Sequence, residues 1–392
     1  MPLRQLWRNV GIVTETAVLA RDLLIEGERI AAFLPRGSEA GPDWRIEDGG
    51  GGILFPGMID LLQNGLGARP YAAMAPGLVA EASAFMLRCG CTAFLPSFGC
   101  KPPGVLEATL AGLAAQIPEA RGARVLGLHS EGPCFALTGA HDAAALDRPA
   151  PALAERMLAA SDGRLLATTL APELPGAEGF VRALKAAGVS VHMGHTDADP
   201  HRVEDYVRWG IDAVTHMFDV MPQKPADGSG VHVVNLTDSL LAEAGLPLGL
   251  ICDGIHAHPR LVRLLAQLGP ERVFLETDAY VNDTGAEIRF EARPGHAVTS
   301  RPGDAVRDDA GGLNGGALRP DEGLRNWLAM GDGDLVRAGH AAALVPARVI
   351  GRAHDLGSIA PGKLADLVLL DPAAIAVRAT MVGGRVLWRA GA

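Results

Sequence analysis

Residues 189–195 run Val189-Ser190-Val191-His192-Met193-Gly194-His195. A short apolar run set between helical stretches reads as a buried parallel strand. This one ends on an imidazole, and four other runs share the pattern. Val125-Leu126-Gly127-Leu128-His129 leads into Ser130-Glu131, and Ile211-Asp212-Ala213-Val214-Thr215 ends on His216. Leu248-Gly249-Leu250-Ile251-Cys252 leads through Asp253 to His256, and Val273-Phe274-Leu275-Glu276-Thr277 ends on Asp278. In a (β/α)₈ barrel the C-terminal strand ends converge on one face, where active sites lie. That topology would gather Glu131, His195, His216, His256 and Asp278 from five strands, which is a metal-hydrolase set.

The rest of the chain alternates in the same way. Ile53 to Asp60 reads as a first barrel strand. Leu78 to Arg88, Val105 to Ala115, Ala152 to Ala160, Phe180 to Ala187 and His201 to Trp209 have helical period. Thr92 to Pro96 and Leu165 to Leu170 read as further strands. Alternating β and α units in this number predict an α/β fold, a TIM-like (β/α)₈ barrel. The rival, a doubly wound open sheet, usually carries a Gly-rich phosphate turn after its first strand. Leu62-Gln63-Asn64-Gly65-Leu66-Gly67 does not fit that turn.

Both chain ends read as small β-structure. Gly11 to Thr14, Leu23 to Ile25 and a hairpin around Glu26 to Ile30 precede the Gly49-Gly50-Gly51-Gly52 run. That run reads as a flexible joint and a natural boundary. The tail, a turn and strand over 357–370 and two short strands from Arg378 to Trp388, is expected to join the N-terminal strands in one module. The expected division is therefore 1–52 with 355–392, and 53–354 as the barrel. Met221 to Val231 reads as a surface loop. Thr284 to Gly316 is long, irregular and charged, and such loops are commonly functional or disordered; lying over the barrel mouth and plain mobility are both open.

The chain has 392 residues, enough for a barrel of roughly 250 plus a smaller module. It is 48% hydrophobic and 20% charged, so a large core is feasible. A net charge of −10 gives no support for nucleic-acid or acidic-membrane binding. Cys89, Cys91, Cys100, Cys134 and Cys252 form an odd, scattered set without a CxxC pair and read as reduced thiols. No signal peptide and no apolar run near 20 residues is legible, so a cytoplasmic location is expected.

Two imidazoles and a carboxylate around an open position make a catalytic zinc-type site. Such a metal polarises a carbonyl and acidifies water. Asp278 could take a proton from that water and pass it to a leaving amine. His256 could hydrogen-bond a substrate carbonyl. His129 and His192, inside strand runs, read as core or supporting residues. His258, His296, His340 and His354 have no such setting and receive no role.

The sequence resembles the N-acetylglucosamine-6-phosphate deacetylase family of the amidohydrolase superfamily. The resemblance rests on PGMID (56–60), GCTAFLPS (90–97), GLHSEGP (127–133), GAH (139–141), GHTDA (194–198), THMFDVMP (215–222), CDGIHAHP (252–259) and ETDA (276–279). PARVIG (346–351) and LGSIAPGKLADLVLLD (356–371) extend it along the tail. It implies a metal-dependent barrel with a small β-sandwich from both chain ends, and hydrolysis of a linear amide C–N bond in an N-acylated small molecule. Glu131, His195 and His216 would hold one divalent ion, zinc first, with iron or another first-row metal as alternatives. Asp278 would be general base and acid. His256 would contact the acyl carbonyl, and His141 the sugar. A homodimer is implied, with a partner residue completing the phosphate site.

Three departures stand out. Leu62 and Asn64 occupy the register where the superfamily has His-x-His, so a second metal there is not expected. Asp219-Val220-Met221 replaces Asn-Ala-Met at substrate-binding positions, and Asp219 would repel a dianion. The arginine-bearing loop that should follow is absent, with Lys224 the only cation near it in sequence. An N-acyl-amino-acid or cyclic-amide hydrolase on the same scaffold therefore stays open as an alternative, as does a catalytically silent binding protein.

Overall fold

In the computed structural model, which describes residues 3–225, 228–243 and 245–391, the apolar runs form one parallel sheet. Its strands are β1 (Met58–Leu66), β2 (Cys91–Phe98), β3 (Leu128–Glu131), β4 (Leu165–Leu170), β5 (Ser190–Met193), β6 (Ala213–Val214), β7 (Leu248–Ile251), β8 (Val273–Glu276) and β9 (Ala279–Val281). Strands β1 to β8 lie in sequence order, and β9 pairs with β1 at the far side. Only Thr277 and Asp278 separate β8 from β9, so the sheet curls until its two edges meet. The run read over Val273–Thr277 forms β8, and a further strand, β9, follows once Thr277 and Asp278 have turned inward to bond Asp60 and Leu62 of β1.

Helices Leu78–Met86, Val105–Gln116, Pro151–Ala160, Ala177–Ala186, Val203–Trp209, Leu236–Ala242 and Pro259–Ala266 follow successive strands. Their apolar faces meet the outer sheet face through residues such as Leu110, Phe180, Leu184 and Tyr206. Ile59, Leu61, Leu95, Ala167 and Phe274 belong to a separate apolar cluster with Val345 and Leu356. Helices Leu335–Gly339 and Val345–Val349 are joined by a π turn at His340–Leu344. Pro346 has no N–H for the carbonyl of Ala342, and the turn before it widens. Among the described residues no helix is long and apolar enough to cross a membrane.

The chain ends share a second, mixed sheet of eight strands. Trp44–Pro56 runs parallel to Arg4–Val13 and antiparallel to Leu367–Leu370. The tetraglycine is thus no flexible joint: it lies inside this 13-residue strand. Between Arg8↔Asp48 and Val10↔Gly52 the register shifts, and the glycines absorb the bulge. Gly50 and Gly51 take positive φ, and a Cβ at Gly49 would lie 2.1 Å from Val10 Cγ1. The strand continues to Pro56, so the crossing into the parallel sheet falls at Gly57 rather than Gly52. Trp7, Ile12, Leu23, Ile25, Leu54, Leu367 and Met381 form this sheet's own core.

Residues 284–316 are not irregular throughout. Ile288–Arg293 (β10), His296–Ser300 (β11) and Arg307–Asp308 (β12) form an antiparallel three-stranded flap. Pro294-Gly295, with Gly295 at positive φ, makes the tight turn, and Phe290, Val298, Val306 and Ala317 give the flap a small core. The loop read over 221–231 includes residues 226 and 227, which lie outside the described residues; Met221 to Pro225 carry no regular structure.

Candidate active site

Glu131 is the last residue of β3, and His195, His216 and Asp278 each stand two residues past the ends of β5, β6 and β8. These strand ends open into one cavity of about 200 Å³, which Glu131, His195, His216 and Asp278 line together. His195 Nε2 and His216 Nε2 approach the same Glu131 oxygen, at 3.2 and 3.1 Å. His141 Nε2 lies 3.6 Å from the other oxygen. The ligand atoms of Glu131, His141 and His195 fall within 4.8 Å of one another, so distance alone makes His141 a metal candidate as well.

Hydrogen bonding separates the imidazoles. His195 Nδ1 faces the carbonyl of Leu137 at 3.1 Å and must donate to it, which leaves its Nε2 lone pair free for a metal. Phe135 stacks on the ring at 4.1 Å and holds its plane. His141 Nδ1 instead accepts the backbone N–H of Cys100 at 3.3 Å. In the neutral ring its Nε2 then carries the proton and is a donor. His216 Nδ1 is buried without a partner among the described residues, and its backbone N–H donates to Glu276.

The electrostatics suit a cation. Burial opposes ionisation of Glu131, but the imidazoles, His141 foremost, hold its carboxyl well below the usual carboxylate range. Burial lowers the pKa of His195 to about 4. It would do the same to His216, yet the hydrogen bond to Glu131 and the charges of Asp219 and Asp278 push that ring up to about 10. Burial and then Glu131 raise Asp278 well above its ordinary value. The surplus negative charge draws a proton onto His216, and a divalent ion would answer the same field. Buried imidazole and carboxylate donors fit such an ion.

Asn64, standing where a metal-binding histidine was sought, donates from Nδ2 to Asp278 Oδ1 at 2.7 Å and so aims the carboxylate. Leu62 serves through its backbone: its carbonyl accepts the N–H of Asp278 at 2.8 Å. His141, Asp219 and Val220 all line the cavity. His256 does not line it; Asp253 holds its Nδ1 at 2.6 Å, and its Nε2 is buried without a partner. His129 and His192 are fully buried. His129 bonds the Leu61 carbonyl and Thr169 Oγ1, and Thr169 bonds Thr215 beside His216.

Other lining residues have no counterpart in the sequence reading. They include Lys101, Tyr280, Arg293, His296 and Asn314. His296, which received no role, bonds Asn314 Oδ1 at 2.8 Å inside the cavity wall. The legible signal was the alternation of Ile288, Phe290 and Ala292 before Pro294-Gly295, a hairpin pattern. Lys101 has no such signal. Lys224, the cation singled out from the sequence, lies 3.9 Å from Asp197 and does not line the cavity.

Curled sheet, strand-end acid and convergent imidazoles define a hydrolase class, and the chain belongs to the amidohydrolase family, whose model matches residues 53–387. Within it, the chain belongs with the N-acetylglucosamine-6-phosphate deacetylases. It is 32% identical to the human protein of that name, covering 98% of this chain and 95% of that one. The crystal structure of the Pasteurella multocida deacetylase superposes with a TM-score of 0.88 at 25% identity, over 98% of this chain and 99% of that one. A mutant of the Mycobacterium smegmatis deacetylase in complex with N-acetyl-D-glucosamine-6-phosphate gives 0.85 at 27% identity, over 98% and 99%.

Proposed function

We propose that this protein is a metal-dependent deacetylase that hydrolyses the amide of an N-acetylated amino sugar, N-acetylglucosamine-6-phosphate or a close relative. One observation carries the reading: Glu131, His195 and His216 meet at one buried point, with Asp278 lining the same cavity under the direction of Asn64. The names and structures of the relatives support it.

Glu131, His195 and His216 would hold one divalent ion, zinc first; when bound, it supplies Lewis acidity that polarises a carbonyl and acidifies water. Asp278 takes the proton of the attacking water and returns it to the departing amine nitrogen. His141, with its Nε2 proton, donates to a sugar oxygen, and Asp219 and Val220 flank the substrate. His256 is assigned to the acyl oxygen through its free Nε2. We read the two sheets as a β-sandwich module and a (β/α)₈ barrel divided at Gly57, in a cytoplasmic homodimer.

Asp278→Asn tests the assignment. Acetate release should fall at least roughly a thousandfold, while metal analysis still finds about one equivalent bound. A variant that keeps wild-type turnover would remove Asp278 from the chemistry.

A further inference from the structure

We propose that Arg293 and Lys101 form an anion subsite at the flap side of the cavity, which takes a phosphate or carboxylate carried by the N-acylated substrate. The proposal rests on the deacetylase reading of the same cavity and deepens it.

Arg293 and Lys101 line the cavity that Glu131 and Asp278 line. Arg293 ends β10, and His296 opens β11 opposite it across the Pro294-Gly295 turn. Lys101 arrives from the loop after β2. Among the described residues neither cation has an ion-pair partner, although Arg289 and Arg301 of the same flap are paired with Asp309 and Glu287. Arg293 Nε is buried and has no acceptor. An orphaned buried guanidinium N–H is costly, and a ligand oxygen would remove the cost.

The two cations also act on each other. Burial foremost, and then Arg293, lower the pKa of Lys101, while Cys100 and Asp142 oppose the shift. Asp142 has its own task, accepting the N–H of Ala144 at 2.9 Å. Like charges set side by side facing a cavity are stabilised by an anion between them. His296 is braced through Nε2 on Asn314 and pairs with Arg293 across the turn, so the flap presents Arg293 from a fixed frame.

Asp142 also lines the cavity and acts on Lys101, and the remaining carboxylates of the lining are Glu131, Asp219 and Asp278. Asp219 acts on His216 and Asp278, which places it among the groups of the hydrolytic end. An anionic substituent is repelled from Glu131, Asp219 and Asp278 and drawn to Arg293 and Lys101. This polarity sets the substrate's direction, with the amide toward Asp278 and the charged group toward the flap. It supplies from this chain's own residues the guanidinium that residues 221–231, whose one cation is Lys224, do not carry.

The test uses the metal-loaded full chain, with Arg293→Gln, Lys101→Met, the double variant, and Arg289→Gln as a control for charge removed from the flap's exposed ion pair. Hydrolysis of N-acetylglucosamine-6-phosphate, N-acetylglucosamine and N-acetylaspartate is compared, and inorganic phosphate and acetate are titrated calorimetrically. The preference for a charged over the neutral substrate, in kcat/KM, is expected to fall roughly tenfold or more in Arg293→Gln and further in the double variant. Anion affinity should fall in step, and Arg289→Gln should keep both. Tighter phosphate binding than acetate identifies a phosphomonoester, and the reverse a carboxylate. A double variant with wild-type preference and affinity overturns the proposal, as does a wild type that binds neither anion. If no amide is turned over, the deacetylase reading fails, and the titrations alone still decide the subsite.

Discussion

His195, His216 and Asp278 share a backbone state as well as a cavity: φ is 51°, 31° and 49°. Side chains other than glycine rarely adopt positive φ, at a cost of order 1 kcal/mol or more per residue. The surroundings hold each one there. The carbonyl of His195 accepts the N–H groups of Ala136 and Leu137; the N–H of His216 is tied to Glu276, and that of Asp278 to Leu62. Left-handed residues just past a strand turn their side chains back over the barrel mouth. Asp60 anchors this construction from beneath, accepting Thr277 N–H at 3.2 Å and Thr277 Oγ1 at 2.7 Å. Burial raises its pKa to about 6. Because the folded state then binds the proton more tightly than the unfolded chain, Asp60 imposes a penalty that is absent below about pH 4. It grows as pH rises to about 6. Asp60→Asn should therefore gain stability relative to wild type between pH 4.5 and 7, by about 1–3 kcal/mol, in denaturant melts. An equal difference at both pH values would contradict the raised pKa.

At the scale of elements, the flap and the strand ends depend on one another. Gly315 sits at φ +88°, and a Cβ there would lie 2.6 Å from the carbonyl oxygen of Asp278 and 3.2 Å from its carboxylate. Gly316 donates its N–H to that carbonyl at 2.8 Å, and Tyr280 donates back to Gly316. Gly315→Ala should push the flap off the strand junction, lowering kcat roughly tenfold or more while costing only about 1–2 kcal/mol of stability. Activity and melting temperature falling in proportion would instead mean a general loss of fold. The tetraglycine carries the matching lesson for the end sheet. Four glycines read as a joint because nothing local opposes flexibility, yet their pairing with β-strand neighbours on both sides makes them an ordered bulge.

For the whole molecule, a largely buried ion pair stands at the junction of the two sheets. Arg124 grips Asp366 with two hydrogen bonds, at 2.7 and 3.1 Å, and Asp366 also accepts the N–H of Gly383. The carboxylate is 4% exposed and the guanidinium 30%, so removing the arginine strands a buried charge. Arg124→Ala should cost about 2–3 kcal/mol, discounted for the arginine's partial exposure, with Arg124→Lys recovering part of it. A melting temperature within a degree of wild type would show that the junction does not need the pair. Metal removal belongs to the same scale. Dialysis against a chelator should abolish acetate release and lower stability by about 4 kcal/mol at saturating metal, both restored by one equivalent of zinc. A protein whose melting is indifferent to chelation would not have its strand ends joined by an ion. By itself the sequence determined the parallel fold and which strand ends bear acid and imidazole side chains, because strand period and the residue closing each run are local properties. It also determined that Asp278 stands with Glu131, His195 and His216, since barrel topology brings C-terminal strand ends together. Only the tertiary structure decided that Gly49 to Gly52 are strand, that Asn64 aims Asp278, and that the cations facing the cavity are Lys101 and Arg293. It also set His141 apart from His195 by the partner each ring's Nδ1 finds. Those outcomes hang on hydrogen bonds and packing between residues far apart in the chain, and no local pattern encodes such a partner.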